Sequence, residues 1–216
     1  MIKAAISWSG GKDSCAAYHR ARHDLDIVCA LTMLNENGSR SRSHGLRPEV
    51  IKAQVDRLGL EWIPRQCSWS TYDAAFADTL GEAASMGVTH VVFGDILFEE
   101  HREWATRLAA SQGLQAVEPL WGQSTTDLYL DFLALGGKAR IVTIRSSVLD
   151  ASFLGRELTP AMLDEFNALG VDPCGERGEY HTVVIDCPAF ERPLRLHPCG
   201  RGGQDGCLAE DLEVEV

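Results

Sequence analysis

Short apolar runs alternate with amphipathic stretches along the first two thirds of the chain. Residues 3–8, 27–34, 61–65, 90–93, 114–117 and 139–144 read as strands, because each is a compact apolar or β-branched run bounded by polar or turn residues. Between them the spacing predicts helices over 13–22, 48–58, 70–86, 99–111 and 125–135. In the third of these, Tyr72, Ala75, Phe76, Thr79, Leu80 and Ala83 fall on one helical face. Gly87, Gly113 and Gly136 stand where helices commonly stop. Such alternation predicts an α/β fold with a parallel sheet of five or six strands, helices on both faces and all strand-end loops on one edge. Ligands bind at that edge in open α/β sheets.

The pattern changes near residue 150. Residues 159–169 read as a helix capped by Thr159 with Pro160 in its first turn. A glycine-rich stretch and an apolar run over 180–185 follow, and the four glycines of 199–206 suggest a mobile tail. Two units are therefore expected: residues 1–150 as the ligand-binding domain, and residues 151–216 as a smaller unit folding back over the same edge.

The chain has 216 residues and a formal charge of −11, with ordinary hydrophobic and charged fractions of 45% and 24%. That charge makes a large nucleic-acid partner a poor expectation. No apolar run approaches the ~20 residues of a membrane span, and Lys12 and Asp13 interrupt any signal-peptide core. A cytoplasmic protein without a membrane partner is expected. Seven cysteines without a C-x-x-C pair argue for reduced thiols over a disulfide framework or a zinc ribbon. The last four are too irregularly spaced for a standard structural zinc site.

The candidate chemistry begins where the first strand ends. Ser9-Gly10-Gly11-Lys12-Asp13-Ser14 places two glycines and a lysine at the start of a helix. Free N–H groups and the positive end of the helix dipole converge there, so the loop is an anion cradle suited to phosphate. It is neither a Walker loop, since Ile6 stands where the first glycine is needed, nor a G-x-G-x-x-G fingerprint. The loop resembles the pyrophosphate loop of the N-type ATP pyrophosphatases. Four further segments narrow the resemblance. They are Ser43-His44-Gly45-Leu46-Arg47, Phe93-Gly94-Asp95-Ile96 leading to Glu99, Arg102 and Trp104, Pro119-Leu120-Trp121, and the run Gly170-Val171-Asp172-Pro173-Cys174-Gly175-Glu176-Arg177-Gly178-Glu179-Tyr180-His181-Thr182. With the loop, in this order, they are similar to the diphthine–ammonia ligase family, and to its bacterial branch more narrowly. The likeness runs from Ile2 to about Phe190.

The resemblance implies a parallel sheet of the adenine nucleotide alpha hydrolase-like (Rossmann-like) type. It also implies adenylation of a carboxylate by ATP, release of pyrophosphate, and attack by ammonia to give an amide. ATP with Mg²⁺ would sit on Ser9, Gly10, Gly11, Lys12, Asp13 and Ser14, with Asp13 on the metal. Glu176 and Glu179, three residues apart on a shaped turn, would face ammonium or the acceptor and work beside Lys12 in catalysis. Asp95, just past a strand end, would hold Mg²⁺ or the adenosine, or cap the next helix. Glu99 and Arg102 suit a substrate contact and an ordinary i, i+3 pair equally. His44 and Arg47 belong to a polar loop that is a substrate lid or plain surface. His181 is a proton carrier or a structural residue. Cys15, at the helix start, reads as small-residue packing. Ile2 in place of an N-terminal cysteine points to free ammonium or a partner as the nitrogen source. The acceptor, small or protein-borne, and the oligomeric state stay open, a homo-oligomer included. Other readings are a pyrophosphate-loop enzyme that modifies tRNA or amidates a corrinoid side chain in cobamide salvage, and a non-catalytic adenine-nucleotide sensor.

Overall fold

A computed structural model describes residues 1–204 and 206–215. Its first sheet is built from β1 (Ile2–Ser7), β2 (Leu25–Leu34), β3 (Glu61–Gln66), β4 (His90–Val92) and β5 (Gln115–Val117). All pairings in it are parallel, in the spatial order β3-β2-β1-β4-β5. Helices α1 (Lys12–Ala21), α2 (Pro48–Leu58), α3 (Tyr72–Ser85), α4 (Glu99–Ser111) and α5 (Thr125–Ala134) connect the strands or follow them. The strand order reverses between β1 and β4. The loop after β1 and the segment after β4 therefore open into one crevice, where this architecture binds ligands.

Alternation along β1 sorts the core into two layers. Ala4, Ile6 and Trp8 face one side and pack with Val50, Ile51 and Val55 of α2. Ala5 faces the other, with Phe76 and Leu80 of α3 and Ala105 and Leu108 of α4. Both faces are thus covered, as a parallel sheet requires.

The remaining elements are β6 (Lys138–Arg145), α6 (Met162–Leu169), β7 (Tyr180–Asp186), β8 (Leu196–Gln204) and β9 (Cys207–Val214). They form a second, antiparallel sheet in the order β7-β6-β9-β8. Its buried Ile141, Ile144, Val183 and Val184 join the same core as Ile6 and Trp8. The two sheets share a wall and do not hang on a linker.

Three expectations need correction. Residues 139–144 do form a strand, but it pairs with β7 and β9 and not with the parallel sheet. Its partners come from sequence further on, which alternation read alone cannot weigh. The second sheet thus begins at Lys138, ahead of residue 150. Helix α6 begins at Met162, because Met162 N–H and the Tyr129 hydroxyl both donate to the Thr159 carbonyl and close a separate turn first (3.1 and 2.9 Å). The glycine-rich tail expected to be mobile forms β8, paired along its length with β9. Backbone pairing needs no side chains, so glycines do not prevent it. Asp205, inside that expected tail, lies outside the described residues. Among the described residues no helix is long and apolar enough to cross a membrane.

Candidate active site

The loop after β1 is held from three sides. Gly10 adopts φ +85°, a left-handed conformation that favours glycine. Its carbonyl accepts from the Gln54 side chain (3.0 Å) and from Val184 N–H of β7 (2.9 Å). Gln54, fully buried in α2, also donates to the Val184 carbonyl (2.7 Å) and accepts from Trp8 Nε1 (3.1 Å). One amide thus ties β1, α2, the loop and β7 together. Gly94 lies against the other flank. A Cβ there would come within 3.1 Å of the Asp13 and Ser14 backbone, so only glycine lets the β4 end approach the α1 N-terminus so closely.

Lys12 is buried at the floor of the crevice. Its ammonium donates to Asp13 (2.9 Å) and to the Cys174 carbonyl, and lies 5.2 Å from the Tyr180 ring centre. Burial opposes its charge, but Asp13 foremost holds its pKa well above the ordinary lysine value. The Lys12 backbone N–H donates to the Thr182 hydroxyl (3.1 Å), a second tie between the loop and β7.

A cavity of about 200 Å³ opens above this floor, lined by Lys12, Asp13, His44, Asp95, Glu176 and His181 among others. Glu176 enters it from the turn between α6 and β7. That turn is shaped by Asp172, whose Oδ1 accepts from Cys174 and Glu176 N–H (2.8 and 3.3 Å) and whose Oδ2 accepts from Thr125 (2.8 Å). Burial, reinforced by the Asp13 charge, pushes the Glu176 carboxyl up to about 7. Burial also raises Asp95, against the pull of His101 at 3.4 Å. Three carboxylates, Asp13, Asp95 and Glu176, thus line the cavity beside the buried Lys12 ammonium.

His44 and His181 stack, ring centres 4.7 Å apart. His44 Nδ1 donates to the Thr182 carbonyl (2.8 Å). Burial, with Lys12 nearby, lowers His44 to about 4. Burial and His44 lower His181 to about 3. Both rings are neutral at physiological pH. The same pair lines a second, larger cavity, about 600 Å³, between the loop 35–45 and the β8–β9 hairpin. Arg42 on its wall meets Glu36 at 3.6 Å and Trp69 at 4.5 Å, yet its buried Nε and Nη2 have no hydrogen-bond partner.

The structure brings together Lys12, Asp13, His44, Asp95, Glu176 and His181, with Ser9, Gly10, Gly11 and Ser14 forming the loop behind them. It does not bring Glu179 to the cavity. Both Glu179 oxygens are taken by backbone N–H groups of Asp172 and Arg177 (3.2 and 3.0 Å), so this carboxylate braces the turn that presents Glu176. Arg47 instead clasps Asp211 and Glu213 of β9. Glu99 and Arg102 lie on the outer face of α4, where Arg102 pairs with Glu118 (3.2 Å) and packs on Trp121. Asp95 caps no helix, since α4 starts after Phe98. Sequence reasoning missed Gln54 and Arg42. Gln54 sits in an unexceptional helical pattern, and Arg42 in a stretch rich in serine and arginine, so neither carried a signal of its own. Thr182 closes a motif whose spacing gives a hydroxyl no special role.

Comparison with known proteins adds the family. The diphthamide synthase N-terminal domain profile matches residues 2–116, and the corresponding C-terminal domain profile matches residues 124–205. A protein of Rattus norvegicus named diphthine–ammonia ligase is 32% identical over 89% of this chain and 82% of its own length. One of the same name from Schizosaccharomyces pombe is 31% identical over 87% of this chain but 35% of its own length. A solved structure, described as a predicted subunit of tRNA methyltransferase from Methanocaldococcus jannaschii, shows 13% identity and a TM-score of 0.43. It covers 87% of this chain and 98% of its own.

Proposed function

The chain belongs to the diphthamide synthase family, and we propose that it is an amide ligase that adenylates a carboxylate with ATP and transfers ammonia to it. The observation that carries this reading is the shared wall: His44 and His181 line both the carboxylate-rich cavity over Lys12 and the larger cavity beside Arg42. Two substrates can meet there, ATP from one side and an anionic acceptor from the other.

The acceptor carboxylate attacks the α-phosphorus of ATP. The bond to the β-phosphate bridging oxygen breaks, and pyrophosphate leaves with the negative charge. Lys12, released from the Cys174 carbonyl, and the N–H groups at the start of α1 stabilise that charge where it develops. Asp13 and Asp95 would hold Mg²⁺, which supplies further charge neutralisation on the phosphates. The acyl-adenylate then faces Glu176. A carboxyl near pH 7 suits a group that takes a proton from ammonium, leaving ammonia to attack the acyl carbon. AMP departs, the attacking nitrogen gives one further proton to solvent, and the amide remains. Arg42, on the wall of the larger cavity beside Glu36, would attract the acceptor carboxylate. The neutral imidazoles give the meeting point a wall without adding charge.

Product analysis tests the reading. Full-length protein incubated with Mg-ATP, ammonium and a panel of small carboxylates, diphthine peptide included, is expected to yield AMP and pyrophosphate with at least one acceptor. ADP and phosphate as the only nucleotide products would overturn it.

A further inference from the structure

Behind the loop, away from both cavities described above, Cys15, His19 and Cys187 converge. Cys15 and His19 are four residues apart on α1 and so share one helical face. Cys187 immediately follows β7. One ligand atom from each lies within 4.8 Å of the others, and all three residues are buried. His19 Nε2 is buried without a hydrogen-bond partner, in a side chain more than nine-tenths buried. A buried imidazole nitrogen left unsatisfied is costly unless something occupies it. Both cysteines are free thiols.

We propose that Cys15, His19 and Cys187 bind a thiophilic d¹⁰ cation of the Zn²⁺ class, which staples the start of α1 to the end of β7. Zinc bonds to sulfur and nitrogen set neighbouring ligand atoms about 3.5–3.8 Å apart, so a small side-chain adjustment closes the set. Two sulfurs and one imidazole match the preference of such ions for soft ligands. The three residues leave one tetrahedral position for a solvent molecule. An entry path exists, since a surface pocket lined by Ala16, His19, Arg20 and His23 reaches the His19 ring. Binding would displace the thiol protons of Cys15 and Cys187. The staple would act on the site already described. Cys15 is three residues from Lys12, and β7 carries the Thr182 and Val184 groups that hold the loop.

The test uses fully reduced, full-length protein titrated with Co²⁺ as a spectroscopic probe, then with Zn²⁺ against a chromophoric chelator. One equivalent of Co²⁺ is expected to produce a near-ultraviolet thiolate-to-cobalt band, displaced by Zn²⁺. Cys187→Ser and His19→Gln are each expected to weaken Zn²⁺ binding at least tenfold. Circular dichroism checks that each folds, and His19→Gln, which removes no sulfur, serves if Cys187→Ser does not. Absence of the band in the wild type would overturn the proposal. So would a band of unchanged affinity in the folded variants, or isolation of Cys15–Cys187 as a disulfide that excludes the metal.

Discussion

Two charged clusters join the sheets of this molecule, and they are built on opposite terms. At the crevice, Asp13, Asp95 and Glu176 gather around Lys12, and burial raises Asp95 and Glu176 against ionisation. At the hairpin, Arg40 and Arg47 both grip Asp211, Arg47 also reaches Glu213, and Asp211 is driven far below its ordinary value, first by its hydrogen bond from Arg47. The first cluster has acidic charge left over for a ligand. The second is matched group for group and has none. Residue type alone does not separate them, since each offers arginines or lysines beside carboxylates. The imbalance marks the place for chemistry, and the balance marks a fastener.

The sharpest way to break this contrast is to remove the one buried cation at the crevice. Lys12→Ala is expected to lower kcat/KM for pyrophosphate release by about 2–4 kcal/mol of transition-state stabilisation, the usual loss for one preorganised donor. Thermal stability should fall far less than it would for a fastener. A variant that turns over at the wild-type rate would remove Lys12 from the site.

The hairpin should respond the other way. Asp211→Asn is expected to cost about 1.5–3 kcal/mol in a denaturant titration, because charged hydrogen bonds to Arg40 and Arg47 are weakened together. Its pKa is depressed in the folded state, so its contribution is present above pH ~3.9 and declines as acid approaches the folded value. Because Arg40 and Asp211 also border the larger cavity, any kinetic cost is expected as a raised KM for the acceptor, with kcat nearly unchanged. A large loss of kcat with intact stability would make the hairpin part of the reacting centre.

Much of this was legible in the sequence, and the failures have a common cause. Period and glycine stops located all five helices of the first unit, and Pro48–Leu58 and Glu99–Ser111 fall where the spacing puts them. The phosphate loop was visible because its chemistry is contiguous, six residues between a strand and a helix. What could not be read was pairing between distant segments. Alternation alone groups β6 with the parallel sheet, because its partners β7 and β9 lie downstream. Arg47 reads from sequence as a site candidate, because its partner Asp211 is far away along the chain. Glu176 and Glu179 look equivalent three residues apart. Only the fold shows that one points into the cavity while the other accepts two backbone N–H groups.

The smallest expected effect concerns the wall between the cavities. His44 and His181 have folded pKa values lowered to about 4 and about 3, below the ~6.5 of an unfolded histidine. Between these values the unfolded chain binds protons that the folded chain refuses. Stability from this source is therefore complete above pH 6.5 and is lost as the pH falls toward 4. Both rings keep some exposure to the cavities, which discounts the full shift. We expect a loss on the order of 1 kcal/mol per histidine between pH 7.5 and 5.5. His181→Gln should flatten that decline by about half, as one of the two refused protons disappears. Denaturant titrations of wild type and variant at the two pH values measure the difference directly. Equal slopes would mean that His181 accepts a proton in the folded protein. The wall would then carry charge at mildly acidic pH and belong with the imbalanced cluster as an active participant instead of a neutral partition.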